Sequence, residues 1–218
     1  MSKSEIENCK SKDGRAESLA DAVAALKRGE VIVYPTETLY GLGADALNVA
    51  AVEKVFQLKG RDPDNPIPVL VADRKMLGAL VAEIPALAEK LMANFWPGPL
   101  TLVLPARKNI STALLNVDGG IGVRISSEPI ATELVHALGH PLTATSANPS
   151  GKEPARTLQQ AKNYFAGEID VFVDAGELTS KTGSTVVEIR ANGVRIIREG
   201  EIGKSELQRA VGESEVVR

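Results

Sequence analysis

The hydrophobic positions along the chain alternate between helical spacing and short unbroken apolar runs, and each change falls at glycine or proline. Leu19, Ala22, Val23 and Leu26 recur at helical spacing, and Gly29 stands where a helix end favours a residue free to turn left-handed. Residues 31–34 are apolar on both faces and stopped by Pro35, which predicts a short buried strand. Residues 36–45, TETLYGLGAD, read as a polar, glycine-bearing connection that opens a helix near Asn48. That helix has Val52, Val55 and Phe56 as its buried stripe and ends at Lys59 and Gly60. Prolines crowd residues 62–66 and forbid regular structure there. A strand at 69–71 follows, then a helix capped by Asp73 with Leu77, Leu80, Val81 and Ile84 inward, and a second helix from Pro85 to Phe95.

After the break at Trp96-Pro97-Gly98-Pro99, residues 100–104 and 121–125 read as strands. Glu128 and Pro129 start a helix through Ile130, Leu134, Val135 and Leu138, closed by Gly139. Residues 141–145 read as one strand running into a loop at 146–151. Thr157 and Gln160 have the spacing of a capping box before a helix that packs Leu158, Ala161, Tyr164 and Phe165. The last strands are 171–173, 185–189 and 194–197, the final two joined through Asn192 and Gly193, a strong hairpin signal. A hairpin beside crossover helices predicts one α/β domain with mixed rather than all-parallel strands.

Composition narrows the class. With 218 residues, 44% hydrophobic and 24% charged, the chain suits one soluble domain and argues against wholesale disorder or a membrane span. Residues 1–16 are polar, aperiodic and expected to be flexible, with no apolar stretch for a signal peptide. The single Cys9 can form neither an internal disulfide nor a cysteine metal cage, so a reducing, cytoplasmic setting is expected. A net charge of −3 argues against a globally basic nucleic-acid coat and leaves room for a local basic cleft.

Polar clusters fall just after strands and helices, where loops on a rigid sheet place function. Thr36-Glu37-Thr38 is one. Lys59 and Arg61 flank a glycine and suit a polyanion such as a triphosphate; alternatively Lys59 complements its helix dipole and Arg61 is a solvated charge. Arg124 lies in an apolar strand and must face a carboxylate, a phosphate or an open cleft, with Glu128 the partner for a plain ion pair. Ser146 and Asn148, alternate in an extended loop, would aim a hydroxyl and an amide at one ligand, or form an Asx-type turn. Gly183 and Ser184 could admit a ligand to the backbone or simply begin a strand, and Arg198 follows another strand.

Other chemistries lack their residues. There is no P-loop run, and Gly41 and Gly43 lack the third glycine of a dinucleotide fingerprint. His136 and His140 have zinc spacing, but Gly139 and Pro141 end the helix between them. With two histidines and no Gly-x-Ser-x-Gly, a Ser-His-Asp triad has little material.

Seven segments occur together in order: TETLYGLGADA from Thr36, FQLKGR from Phe56, FWPGPLTLVL from Phe95, GVRI from Gly122, TSANPSG from Thr145, GSTVVEI from Gly183 and IIREG from Ile196. Over about residues 18–202 the chain thereby resembles the threonylcarbamoyl-AMP synthases, the YrdC-like domain family. The resemblance implies a twisted mixed sheet with flanking helices around a large, cationic concave cavity. It implies an enzyme that joins L-threonine and bicarbonate to the AMP part of ATP and releases pyrophosphate. Transferase proteins would then use the product to modify an adenosine beside the anticodon of certain tRNAs, and a direct tRNA contact is left open. Lys59, Arg61, Ser146, Asn148 and Arg198 would hold ATP, with Lys59 and Arg61 catalytic; Thr36, Arg124 and Ser184 would hold threonine. Magnesium would ride on the ATP phosphates, with no metal site built by the protein.

The catalytic domain is expected over residues 17–204, followed by a short C-terminal helix or tail at 205–218 in place of the further domain of longer relatives. Leu70, Gly120 and Thr145 depart from residues common in the family, histidine, threonine and proline respectively, and bear on the amino-acid pocket. Two rivals stand beside this reading. One is a carbamoyl-adenylate former of the hydrogenase-maturation type, whose acylphosphatase-like and zinc-finger regions are not seen. The other is a tRNA or double-stranded RNA-binding module without catalysis, which the acidic charge and the lack of a stacking aromatic set oppose.

Overall fold

The computed structural model describes residues 18–190, 193–212 and 216–217, so the expected flexible segment 1–16 with Cys9, and Asn192 of the hairpin, lie outside the described residues. Helices α1 (Leu19–Lys27), α2 (Val49–Lys59), α3 (Arg74–Leu80), α4 (Ala86–Phe95), α5 (Pro129–Leu138), α6 (Leu158–Phe165) and α7 (Lys204–Val211) form where the periodicity placed them. Their starts are held by local chemistry: Ser18 with Asp21 and Thr157 with Gln160 form capping boxes, and Asn48 and Asp73 accept from first-turn N–H groups. Each such cap contributes about 1 kcal/mol. Gly60 and Gly139 close α2 and α5 at φ 56° and 76°, where a side chain would be strained.

The strands are β1 (Ile32–Tyr34), β2 (Gly41–Gly43), β3 (Val69–Leu70), β4 (Leu100–Pro105), β5 (Gly120–Arg124), β6 (Leu142–Thr143), β7 (Thr145–Ser146), β8 (Val171–Phe172), β9 (Thr185–Arg190), β10 (Gly193–Arg198) and β11 (Val216–Val217). They make two mixed sheets, ordered β7-β2-β1-β8 and β11-β10-β9-β4-β5-β3-β6. In the first, β1 runs antiparallel to β2 and parallel to β8; in the second, β4 runs antiparallel to β5 and parallel to β9. The apolar run at 31–34 is explained by burial on both faces. Ile32 and Tyr34 pack with Leu26 and Leu134 of α1 and α5, whereas Val31 and Val33 pack with Val55 and Phe165 of α2 and α6. A third cluster joins Leu102 and Val123 of the larger sheet to Leu91 of α4 and Leu207 of α7.

Three local expectations are corrected. Residues 36–45 are not all connection: they turn back as β2 beside β1. Glycine's poor strand propensity conceals this, yet the glycines are steric, since a Cβ on Gly43 would lie 2.9 Å from two carbons of the Tyr34 ring. Residues 141–145 do not form one strand but two: β6 belongs to the larger sheet and β7 to the smaller. Thr143 makes the seam, its hydroxyl accepting from the Ala44 N–H at 2.8 Å and donating to the Leu42 carbonyl at 3.1 Å, while the Tyr34 hydroxyl donates to its carbonyl at 2.9 Å. Finally, α3 stops at Leu80, short of Ile84, because the chain peels away to let the Ala82 N–H donate to the Pro105 carbonyl at 2.8 Å.

At the C-terminal end α7 packs on α4, and β11 extends the larger sheet parallel to β10. Among the described residues no helix is long and apolar enough to cross a membrane.

Candidate active site

A cavity of about 560 Å³ is lined by residues of both sheets and by the connections that follow β1 and α2. Arg61, Arg124, Arg195 and Arg198 line it, together with Thr36, Ser146 and Ser184. Its cationic wall comes from three separate chain segments. Arg61 follows the left-handed Gly60 cap and is tied down by the carbonyls of Asn65 and Pro66, at 2.7 and 3.4 Å. Arg198 ends β10, and its Nη2 donates to the Ser184 carbonyl at 2.7 Å. Burial pulls the pKa of both guanidinium groups down, and for Arg198 the charges of Arg124 and then Arg61 add to the effect. Among the described residues neither has a carboxylate within ion-pairing distance.

Arg124 differs. It is 4% exposed, and its ion-pair partner is Glu37 at 3.4 Å rather than Glu128. Glu128 is spent elsewhere, accepting from the Ile130 N–H at 3.3 Å as the cap of α5; burial raises its pKa, the Ile130 N–H opposes, and Glu37 adds to the rise. The sequence pointed to the near neighbour, but the turn after β1 delivers a carboxylate from far along the chain.

The hydroxyl residues are held by bonds within the protein. Thr36 Oγ1 donates to the Leu39 carbonyl at 2.7 Å and accepts from the Thr38 and Leu39 N–H groups, each at 3.2 Å. Ser184 Oγ lies 2.9 Å from Thr101 Oγ1. Thr185, which follows Gly183 and Ser184 in the same polar cluster, binds the two flanking motifs together: its hydroxyl accepts from the Gly200 and Ile202 N–H groups and donates to the Ile202 carbonyl at 2.6 Å. The only hint in the sequence was a hydroxyl placed between glycine-serine and an apolar run.

Lys59 and Asn148 are close to this wall but do not line the cavity. Lys59 is 3% exposed, and its ammonium donates to the carbonyls of Ser146 and Asn148 at 2.6 and 2.8 Å. It is thus no surface charge at a helix end; it ties α2 to the loop after β7. The Asn148 amide donates to the carbonyls of Pro149 and Lys152 at 2.9 and 2.8 Å, and among the described residues its Oδ1, the atom that would accept in an Asx-type turn, is buried with no hydrogen bond, so that turn is not formed.

Burial, and then the charge of Arg61, bring the Lys59 pKa from 10.5 down to about 7, against the pull of its two carbonyl acceptors. Between those values the unfolded chain holds a proton that the folded chain has released, so folding stability rises with pH across that window. Wild-type stability is expected to gain up to roughly 1 kcal/mol per pH unit from pH 7 to 9 relative to a Lys59→Met variant. Urea unfolding of both proteins at the two pH values checks this, and parallel pH dependences would refute it.

A larger cavity, about 860 Å³, lies against α3 and residues 108–114, and its lining is mainly apolar. Helix α5 ends before His140, whose Nδ1 lies 2.8 Å from Asp45 Oδ2. Among the described residues no group of three His, Cys, Asp or Glu side chains could hold a metal.

The Sua5/YciO/YrdC family model, described as telomere recombination, matches residues 24–200. The chain belongs to this family. A Sua5/YciO/YrdC relative from Pyrococcus abyssi, named threonylcarbamoyl-AMP synthase, is 36% identical over 192 residues, which cover 88% of this chain and 56% of the relative. The chain therefore spans about half the length of that protein. The threonylcarbamoyl-AMP synthase of Photobacterium profundum is 35% identical over 187 residues, 84% of this chain and 100% of the relative. The crystal structure of P. abyssi Sua5 complexed with L-threonine superposes with a TM-score of 0.87 at 35% identity, over 91% of this chain and 58% of that one. The expected fold, twisted mixed sheets with flanking helices, is that of the Sua5/YciO/YrdC family.

Proposed function

We propose that this chain makes L-threonylcarbamoyl-AMP from L-threonine, bicarbonate and ATP, releasing pyrophosphate. The observation that carries this reading is the wall itself: two arginines, Arg61 and Arg198, that among the described residues have no carboxylate within ion-pairing distance, beside a third, Arg124, that a carboxylate holds in place. Such a wall suits a polyphosphate next to a small carboxylate, and the relatives' name, threonylcarbamoyl-AMP synthase, joins a threonine-derived group to AMP. In this reading Arg61 and Arg198 grip the phosphates, and Ser146 and Asn148 with Lys59 shape the loop that receives the nucleotide. Arg124 takes the threonine carboxylate with its planar fork, and Thr36 and Ser184 complete the amino-acid pocket.

The neutral threonine amine bonds to the carbon of carbon dioxide, which bicarbonate yields by loss of hydroxide, and the proton the nitrogen gives up joins that hydroxide as water, leaving a carbamate. A carbamate oxygen then forms a bond to the α-phosphorus of ATP, and the bond to the bridging oxygen breaks as pyrophosphate leaves. No covalent enzyme intermediate is needed, so alignment and neutralisation of the charge growing on pyrophosphate do the work. Arginine nitrogens, hydroxyls and amides suffice for that. Magnesium enters as part of the ATP substrate, on phosphate oxygens and water. In this reading residues 17–204 are the catalytic unit and 205–218 a short C-terminal helix or tail, acting in the cytoplasm. The product passes to tRNA threonylcarbamoyltransferase proteins.

Purified protein with ATP and magnesium is expected to release pyrophosphate only when threonine and bicarbonate are both supplied. Pyrophosphate at background level with all substrates present would sink the proposal. Salt-sensitive retention of tRNA with no ATP turnover would favour the RNA-binding rival instead.

A further inference from the structure

We propose that Glu37 is a specificity-determining residue that keeps polyphosphate out of the amino-acid subsite, because it compensates the charge of Arg124 while Arg61 and Arg198 stay uncompensated. The inference rests on the synthase reading of the cavity. Glu37 lies in the turn between β1 and β2, its side chain only 14% exposed. One carboxylate oxygen accepts from the Ser126 hydroxyl, and Ser126 Oγ accepts in turn from the Glu128 N–H at 3.1 Å. The carboxylate is thereby fixed from the connection between β5 and α5.

Its other oxygen, Oε1, stands 3.4 Å from Arg124 Nη1, yet both atoms are buried without a hydrogen bond. The contact is charge against charge. It neutralises Arg124 without using up its donors, and among the described residues no protein atom accepts from the other Arg124 nitrogens. Arg61 and Arg198 are instead held by backbone carbonyls, which are neutral, and among the described residues neither pairs with the carboxylates that also line the cavity, Asp64, Asp118 and Glu199.

These two arrangements sort anions. A carboxylate binds the Arg124 fork through two directed hydrogen bonds, which survive when the local net charge is near zero. A polyphosphate, whose binding depends on summed charge, gains little beside the Arg124–Glu37 pair and much beside the bare arginines. Without Glu37, three bare arginines would share one cavity, and pyrophosphate could settle over the threonine position.

The test uses Glu37→Gln, which keeps the size and the acceptor for Ser126 but removes the charge, with inorganic pyrophosphate as the probe. In the wild type, pyrophosphate is expected to compete with ATP and not with threonine. In Glu37→Gln it should become competitive with threonine, its inhibition constant in that mode falling about tenfold or more, while competition with ATP is unchanged. Glu37→Asp, which retains the charge, should restore the wild-type pattern. An unchanged pyrophosphate pattern in folded Glu37→Gln overturns the proposal, as does an aspartate variant that behaves like glutamine. If Glu37→Gln does not fold, Ser126→Ala, which only loosens the carboxylate, should show a smaller shift in the same direction, and no shift there overturns it. Calorimetry separates the two readings: wild-type protein that binds neither threonine nor ATP defeats the synthase assignment, whereas binding of both with no effect at Glu37 defeats this inference alone.

Discussion

A Gly200→Ala variant is expected to lose about 3 kcal/mol of stability or more, and with it the integrity of the cavity wall. A methyl built on Gly200 would overlap the Gly183 carbonyl oxygen and stand 2.7 Å from both atoms of the Ser184 carbonyl. The obstacle is backbone, so no rotamer change relieves it. Retreat is blocked as well, because the Gly200 N–H donates to Thr185 at 2.9 Å and the Glu201 N–H donates to the Gly183 carbonyl at 3.1 Å. Displacing this layer moves Ser184, whose carbonyl anchors Arg198. Gly78→Ala is the control, since a Cβ there meets nothing within 4 Å and α3 gains a better helix former. Urea unfolding should show the loss at Gly200 and none at Gly78; equal losses would mean that crowding is not the cause.

For the proposed reaction, Arg124→Ala is expected to raise the threonine KM about 100-fold, the worth of a charge-assisted bidentate contact, while the ATP KM changes less than about twofold. Alanine also leaves Glu37 as an unpaired, largely buried carboxylate, which adds a structural penalty. Arg124→Lys separates the two effects. It returns a cation to Glu37 but lacks the planar fork, so stability should recover while the threonine KM stays about tenfold high. Initial-rate kinetics with each substrate varied decides the matter, and equal effects on threonine and ATP would make Arg124 a structural ion pair only.

The helices and most strands were legible because their signals are local. A capping box such as Thr157 with Gln160 needs only residues three apart, and a run apolar at every position, 31–34, announces burial on both faces. What was hidden required knowledge of distant neighbours. β2 is concealed because its glycines exist for the Tyr34 ring, which lies on another strand. The exchange of sheets within 142–146 leaves no mark, since a linear pattern of apolar residues does not say which sheet a strand joins. The site was legible in the same unequal way. Thr36, Arg61, Arg124, Ser146, Ser184 and Arg198 are charged or hydroxyl residues at element ends, and all six face one cavity. That Lys59 would be buried on two carbonyls, and that Arg124 would meet Glu37 rather than Glu128, depended on contacts between segments far apart in the chain.

The seam at Thr143 makes the two walls of the cavity one mechanical body along that side. Prying β6 and β7 apart would break the bonds of Thr143 to Leu42, Ala44 and Tyr34 inside a dry core, where none can be replaced by water. The same cavity takes Val117 into its lining, in the turn before β5, where that side chain is 89% exposed. Along Thr143 the two sheets are bound as pages are to a sewn spine.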